Sequence, residues 1–141
     1  MERIPTVVGD IMSSPVVTVD AEIIVRDAAL LMRERDIGSV LVVERGRPAG
    51  IVTERDLLER VVAPCRDPCE VRVREIMSTP LITIEREASI LDAMRKMRVR
   101  GIRRLIVVED EEVVGVVSSR DIMMGISVAA LTSFSVLLRR R

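Results

Sequence analysis

Two short segments of the chain carry residue types that could bind a phosphorylated ligand. The first, GIVTERD, contains Thr53 and Asp56, and the second, GVVSSRD, contains Ser118 and Asp121. A hydroxyl followed three residues later by an acid has the spacing of a helix capping box, the simpler interpretation of either segment alone. The same geometry suits a nucleotide, because a helix N-terminus offers free N–H groups to phosphate and an aspartate can accept both ribose hydroxyls. The sequence leaves both interpretations open.

The composition leaves few other chemistries. The 141 residues include no His, Tyr or Trp and one aromatic, Phe134, so we expect no imidazole base and no stacking platform for single-stranded nucleic acid. The 22 basic and 22 acidic residues cancel, which argues against binding to nucleic acid. We therefore predict no enzyme activity and no catalytic residues.

Cys65 and Cys69 lie in the proline-rich stretch PCRDPC, which we expect to be a linker. Two thiols are too few for a zinc site, which needs four ligands. We interpret them as linker thiols and predict no metal; a redox pair, or a zinc site shared across a dimer, is the alternative.

The chain is an internal duplication with an offset of 65 residues. VGDIMSSPVVTV, from Val8, aligns with VREIMSTPLITI, from Val73, and residues 8–58 share 20 identities in 51 positions with their counterparts. Unrelated sequences of this composition agree at roughly a tenth of positions. Because each repeat is too small to bury a core alone, we expect the two to pack against each other.

Each repeat is predicted to fold in the order β-α-β-β-α, after a short helical turn that falls at residues 10–12 in the first repeat. In the first repeat, the predicted strands cover residues 16–19, 39–43 and 50–52, and the helices cover residues 22–35 and begin again at Thr53. In the second, the strands cover residues 81–84, 103–108 and 113–117, and the helices cover residues 87–99 and begin again at Ser118. We predict an α/β fold of the α+β type, with repeats at residues 1–65 and 66–125 and a helical tail at residues 126–141.

The pattern D/E-I-M-S-x-P, strand, helix, V-V-E strand and G-h-V-T/S-x-R-D resembles the CBS domain, named after cystathionine β-synthase. Two copies resemble the tandem arrangement called a Bateman module, here over residues 8–125. This resemblance implies two repeats packed as a pseudo-twofold pair that binds AMP, ADP, ATP or S-adenosylmethionine. It implies that Asp56 and Asp121 hold ribose, so that replacing either by Ala abolishes one site, with Thr53 and Ser118 as polar contacts.

The resemblance also implies composite sites, in which the aspartate of one repeat faces the first strand of the other. The adenine would then lie near Met12 and Val17, or near Met77 and Ile82. Where the first repeat has Gly38 and Ser39, the second has Arg103 and Arg104. The matching pair is basic in the energy-sensing kinase subunit of this family, so we expect these arginines to select a phosphorylated ligand.

We therefore predict a non-catalytic, cytoplasmic regulatory module that binds an adenine nucleotide and passes its ligand state to a separate, unknown effector protein. The alternative is an assembly module with vestigial pockets. A homodimer is expected, formed by exposed helix faces that include Ala28, Leu31, Met32 and their counterparts in the second repeat. Residues 122–138 carry no charge and reach the lower length limit for a membrane span, but we predict a packed helix and no membrane partner.

Overall fold

The computed structural model describes residues 4–139, which form two compact units. One unit is the contiguous stretch Val16–Leu81, and the other combines residues 4–15 with residues 82–139. The units do not coincide with the sequence repeats. The leading segment of each repeat (residues 4–15 in the first and residues 66–81 in the second) belongs to the unit that is built mainly from the other repeat. The first three and last two residues of the predicted repeats and tail lie outside the described residues.

The contiguous unit is built on a three-stranded sheet of order β1-β2-β3, in which β1 runs parallel and β3 antiparallel to β2. A two-residue turn joins β2 to β3, and its residues Arg45 and Gly46 both have positive φ, which matches the right-handed twist of a hairpin. The elements are β1 (Thr18–Asp20), α1 (Val25–Arg35), β2 (Ser39–Glu44), β3 (Arg47–Thr53), α2 (Glu54–Leu57), a π-helical turn (Leu58–Val62) and α3 (Val73–Ile76).

The discontinuous unit has the same topology, with sheet order β4-β5-β6 and the same parallel and antiparallel pairings. Its hairpin turn uses Asp110 and Glu111, again with positive φ. The elements are a 3-10 turn (Val8–Asp10), β4 (Thr83–Glu85), α4 (Ile90–Arg100), β5 (Arg104–Glu109), β6 (Glu112–Ser118) and α5 (Ser119–Arg139).

The predicted α/β class and the duplicated order of elements are confirmed, with shifts at the ends of elements. The strand predicted at residues 16–19 is β1, at Thr18–Asp20, where the pairing to β2 begins. The helix predicted from residue 22 begins at Val25, because Ile24 is extended and forms a β-bridge with Arg72.

Each unit has its own aliphatic core, and this corrects one prediction about the dimer. In α1, Ala28 and Met32 are buried among the valines of the sheet, and in α4 their counterparts Ala93 and Met97 are buried in the same way. Leu31 also packs against the core and is half-buried. The predicted dimer face on these residues is therefore wrong, because helical spacing marked the core side of each helix rather than an exposed face.

The helix α5 starts inside its unit and then leaves it. Ile122 and Gly125 are buried, whereas most of the side chains that follow are exposed. By length and composition α5 is the one helix of residues 4–139 that could cross a membrane, and only 11% of its apolar stretch is buried. The prediction of a packed helix is therefore confirmed for the first turns of α5, whereas the rest of the helix is largely exposed rather than packed against other described residues of the chain.

Candidate functional site

The segment that contains Thr53 and Asp56 forms the junction between β3 and α2. The Asp56 carboxylate accepts from the Thr53 backbone N–H through Oδ2 (2.9 Å) and from the Thr53 hydroxyl (3.1 Å), while the Asp56 N–H donates to Thr53 Oγ1 (3.3 Å). These are the reciprocal bonds of a capping box, so the simpler interpretation of the segment is confirmed.

The start of the second repeat completes this end of the contiguous unit. Ser78 and Ile51 exchange two backbone hydrogen bonds (2.8 and 3.1 Å), and an added Cβ on Gly50 would lie 2.8 Å from the Met77 sulfur. Glycine is required here because the leading segment crosses β3 at backbone distance. This approach brings the Ser78 hydroxyl to Asp56, where it donates to Oδ1 (2.9 Å).

Arg60 also lies at Asp56, one helical turn further along the chain. Its Nε is 3.9 Å from Asp56 Oδ1, and its Nη1 donates to the carbonyls of Ile76 (2.8 Å) and Met77 (3.1 Å). Both oxygens of the Asp56 carboxylate therefore have partners within the chain, and the residue is 7% exposed.

The Asp121 segment has the same cap but lacks these additional partners. Asp121 Oδ2 accepts from the Ser118 N–H (2.8 Å) and hydroxyl (3.0 Å), and the Asp121 N–H donates back to Ser118 Oγ (3.1 Å). Within residues 4–139, nothing donates to Asp121 Oδ1. Ser13 exchanges backbone bonds with Val116 (2.8 and 3.0 Å), but its hydroxyl does not bond Asp121.

The position that corresponds to Arg60 is Gly125. This glycine is buried, and an added Cβ would lie 2.9 Å from a methyl group of Ile11. The Asp121 carboxylate thus has no neighbouring cation from this position. Asp121 is half-buried, whereas Asp56 is buried.

The two halves also differ at the start of the central strand. The Ser119 N–H, at the first residue of α5, donates to the Arg103 carbonyl (2.8 Å), and Arg104 is the cross-strand partner of Ser118. Among the described residues, neither guanidinium has a hydrogen bond or ion pair. In the contiguous unit the equivalent places are held by Gly38, whose carbonyl accepts from Glu54, and by Ser39, opposite Thr53.

Comparison with known proteins identifies the family. The model of the CBS domain matches residues 8–63 and 73–128, which are the two repeats. The chain belongs to the CBS-domain family. CBS-domain pairs are generally regulatory or signal-transduction modules.

Three similar proteins illustrate the match. An uncharacterized protein of Methanopyrus kandleri is 41% identical over 118 residues, which is 82% of this chain and 60% of that protein. The structure of a candidate signal-transduction protein with CBS domains from Burkholderia ambifaria has a TM-score of 0.79 and 33% identity, and covers 86% of this chain and 93% of that one. A hexameric CBS-CP12 protein from bloom-forming cyanobacteria has a TM-score of 0.79 and 32% identity, over 86% of this chain and 68% of that one.

The CBS fold divides the predicted site residues between the two units. Thr53, Asp56, Gly38 and Ser39 share the contiguous unit with Met77 and Val17, whereas Ser118, Asp121, Arg103 and Arg104 share the discontinuous unit with Met12 and Ile82. Met12 and Val17, predicted to flank one adenine, thus belong to different units, as do Met77 and Ile82. The ligand roles of all twelve residues stay predictions.

The sequence interpretation missed Arg60 and Ser78. The signal for Arg60 was present, because Arg60 follows Asp56 at the i, i+4 spacing of a helical ion pair and its repeat counterpart is Gly125. The role of Ser78 was not readable, because Ser13 occupies the same repeat position and the two differ only in their contacts.

The linker thiols are not part of either half of the site. Cys65 and Cys69 are both free and exposed. Within residues 4–139, no group of three or more Cys, Asp and Glu side chains is arranged to hold a metal ion.

Proposed function

We propose that this CBS pair is a non-catalytic regulatory module that binds an adenine nucleotide and reports its presence to a partner protein. The proposal rests on the family resemblance together with the Asp121 segment. That segment combines a helix N-terminus, an aspartate with one unused carboxylate oxygen and two arginines whose charge is unpaired within the described residues. These groups suit the phosphate and the sugar of a nucleotide.

The geometry favours the Asp121 half over the Asp56 half as the ribose site. A ribose needs both its hydroxyls to donate to carboxylate oxygens, and Asp121 Oδ1 has no competing donor in the described chain. At Asp56 a ribose would have to displace the Ser78 hydroxyl (2.9 Å) in a place that is 7% exposed. Displacing a hydrogen bond to a buried charged group costs about 1.5–3 kcal/mol. We therefore propose one nucleotide per chain and a structural role for Asp56.

Arg103 and Arg104 favour AMP, ADP or ATP over S-adenosylmethionine. A guanidinium forms charge-assisted hydrogen bonds to phosphate, whereas the sulfonium of S-adenosylmethionine carries a like charge. Gly38 and Ser39 offer no such charge in the other half, which is a second reason to propose a single phosphate-selective site.

Isothermal titration calorimetry tests this proposal with AMP, ADP, ATP, adenosine and S-adenosylmethionine. We expect one nucleotide per chain, and Asp121→Ala should weaken binding roughly a hundredfold, because two hydrogen bonds to a charged group are lost. The matched control is Asp56→Asn at the equivalent repeat position, which should keep the affinity. Arg104→Ala should weaken the binding of the nucleotides but not the binding of adenosine. Unchanged affinity in Asp121→Ala, or two bound nucleotides, would contradict the proposal.

A second candidate is an assembly module with vestigial pockets, which the exposed apolar surface of α5 favours. The same titrations separate the two candidates, because an assembly module gives no binding heat with any of the five compounds. In either case we propose that the module acts as a homodimer on a separate effector protein.

A further inference from the structure

We propose that a cluster of arginines at one end of the discontinuous unit binds an acidic segment of the effector protein, and that a bound nucleotide weakens this contact. We call this cluster the basic end. It consists of the five arginines that lie where α4 ends and where β5 and α5 begin, namely Arg98, Arg100, Arg103, Arg104 and Arg120. The effect of the nucleotide rests on the proposed function, whereas the docking surface does not.

The backbone brings the basic end together. Arg98 lies in the last turn of α4, from which a short turn leads to Arg104, the first residue of β5. The Arg103 carbonyl accepts from the Ser119 N–H (2.8 Å), so the first turn of α5, which contains Arg120, lies beside the start of β5. Four of the five side chains are exposed and that of Arg104 is half-buried, so a partner can reach them.

The charges of the basic end are not neutralised within residues 4–139. Between Asp92 and Glu109 the sequence has six basic residues and no acidic residue. Two of the six are already engaged, because Arg95 lies 3.8 Å from Asp92 and Lys96 donates to a backbone carbonyl. The arginines of the basic end form no ion pair with any described residue. The basic end therefore attracts an anion from outside the chain.

The equivalent end of the contiguous unit lacks this excess of charge. Arginines in the last turn of a helix complement its dipole, and α1 has two of them, Arg33 and Arg35, as α4 does. In α1, however, Glu34 and Asp36 alternate with the arginines, whereas the second repeat has valine and glycine in place of these acids. Helix stability alone therefore does not explain the unbalanced charge.

The same difference recurs at the helix that follows the hairpin. Arg55, in the first turn of α2, forms an ion pair with Glu59 (2.8 Å). Its repeat counterpart is Arg120, but Met124 stands where the first repeat has Glu59. The second repeat has thus lost acidic partners at both helices that border the basic end.

A short acidic protein segment fits the basic end better than nucleic acid or a membrane does. The hairpin at the other end of β5 is acidic over Glu109, Asp110, Glu111 and Glu112. The six residues of β5 span about 20 Å, so a long polyanion or a charged plane that covers the basic end is repelled by this hairpin. Carboxylates also match the paired donors of a guanidinium.

The docking surface shares two arginines with the proposed nucleotide site. Phosphates at Arg103 and Arg104 would neutralise part of the basic end, so the nucleotide and the acidic segment should each weaken the binding of the other. This competition gives the module a way to report its ligand state.

Fluorescence anisotropy of the full chain with a labelled peptide of about eight glutamates, about 26 Å long when extended, tests the docking surface. We expect binding at about 50 mM NaCl that is lost at about 500 mM, because salt screens exposed charges, and no binding of the equivalent glutamine peptide. Arg98→Glu combined with Arg100→Glu should weaken binding at least about tenfold. The matched control is Arg33→Glu combined with Arg35→Glu, which removes the same dipole interaction from α1 and should keep the affinity. Circular dichroism checks that both variants are folded.

Saturating ATP should weaken peptide binding by about tenfold, whereas adenosine should not. A wild-type chain that does not bind the peptide, or equal losses in the two folded double variants, would overturn the docking surface. Binding of polyuridylate or of phosphatidylserine vesicles without binding of the peptide would overturn it in favour of nucleic acid or lipid. If calorimetry detects no nucleotide but the peptide binds, the proposed function fails and the docking surface stands. If both bind without competition, the effect of the nucleotide is refuted.

Discussion

Asp56 and Asp121 occupy the same repeat position but differ in what surrounds them. Both close a capping box, yet Asp56 also accepts from Ser78 and lies near Arg60, whereas nothing in residues 4–139 donates to Oδ1 of Asp121. Burying a carboxylate costs free energy unless its oxygens are hydrogen-bonded, so the additional partners of Asp56 offset the cost of its burial. This difference is the reason why we propose Asp121, and not Asp56, as the ribose ligand.

This difference predicts unequal effects of removing the two equivalent serine hydroxyls. Ser78→Ala should lower the free energy of unfolding by roughly 1.5–3 kcal/mol, because a hydrogen bond to a part-buried carboxylate is lost. Ser13→Ala, the matched control, should change it by less than about 0.5 kcal/mol, since the Ser13 hydroxyl does not bond Asp121. Urea denaturation of both variants measures the difference, and equal losses would show that Ser78 is not a specific support of Asp56.

At the scale of single residues, the sequence predicted the local contacts of the site but not the contacts between residues that are distant along the chain. The spacing of Thr53 and Asp56 was sufficient to predict the capping box, because the cap is local and its bonds join residues three apart. The Ser78 contact joins residues 22 apart along the chain and depends on how the leading segment crosses β3. No local pattern encodes such a contact.

The crossing of each leading segment over a strand is the main feature at the level of elements. Gly115 of β6 lies against this segment so closely that an added Cβ would be 2.6 Å from the Met12 sulfur and 3.0 Å from the Ser13 carbonyl oxygen. The sulfur can move, but the carbonyl belongs to the backbone bonds between Ser13 and Val116. Close backbone packing therefore requires glycine at this position.

Gly115→Ala should accordingly destabilise the protein by roughly 1–3 kcal/mol through overpacking. Gly101→Asn is the control, because Gly101 has positive φ, which Asn tolerates, and nothing lies within 4 Å of an added Cβ. It should cost only about 0.5 kcal/mol. Thermal and urea unfolding give both values, and a Gly115→Ala protein as stable as wild type would show that the crossing has room to adjust.

The sequence predicted the strands well, because the valine-rich runs and their duplication mark them twice. It did not predict that the helix after Ser118 would be exposed. The sequence of residues 122–138 is apolar whether it packs in a core, against a second copy or in lipid, so composition cannot distinguish these environments.

At the scale of the whole molecule, the first described residues of the chain belong to the unit that also contains its last described residues. Val8 is fully buried in the core of the discontinuous unit, and its repeat counterpart Val73 is fully buried in the core of the contiguous unit. The duplication was readable from these aligned sequences, but the exchange of leading segments was not, because both arrangements preserve the same hydrophobic pattern.

Val8→Ala and Val73→Ala therefore form a matched pair. Each should cost about 2 kcal/mol for the lost methyl groups and the cavity that they leave. Amide hydrogen exchange should show the larger loss of protection in residues 82–139 for Val8→Ala and in residues 16–81 for Val73→Ala. The opposite pattern would mean that the leading segments stabilise their own repeats instead.

The discontinuity of one unit has a consequence for synthesis on the ribosome. Every residue of Val16–Leu81 is available once residue 81 has left the exit tunnel, so this half can fold while translation continues. Residues 4–15 emerge before this half but must wait for β4, β5 and β6, which are translated after it. During that interval the side chain of Val8 has no core to enter. This is the stage of synthesis at which a chaperone that covers the exposed segment would be most useful.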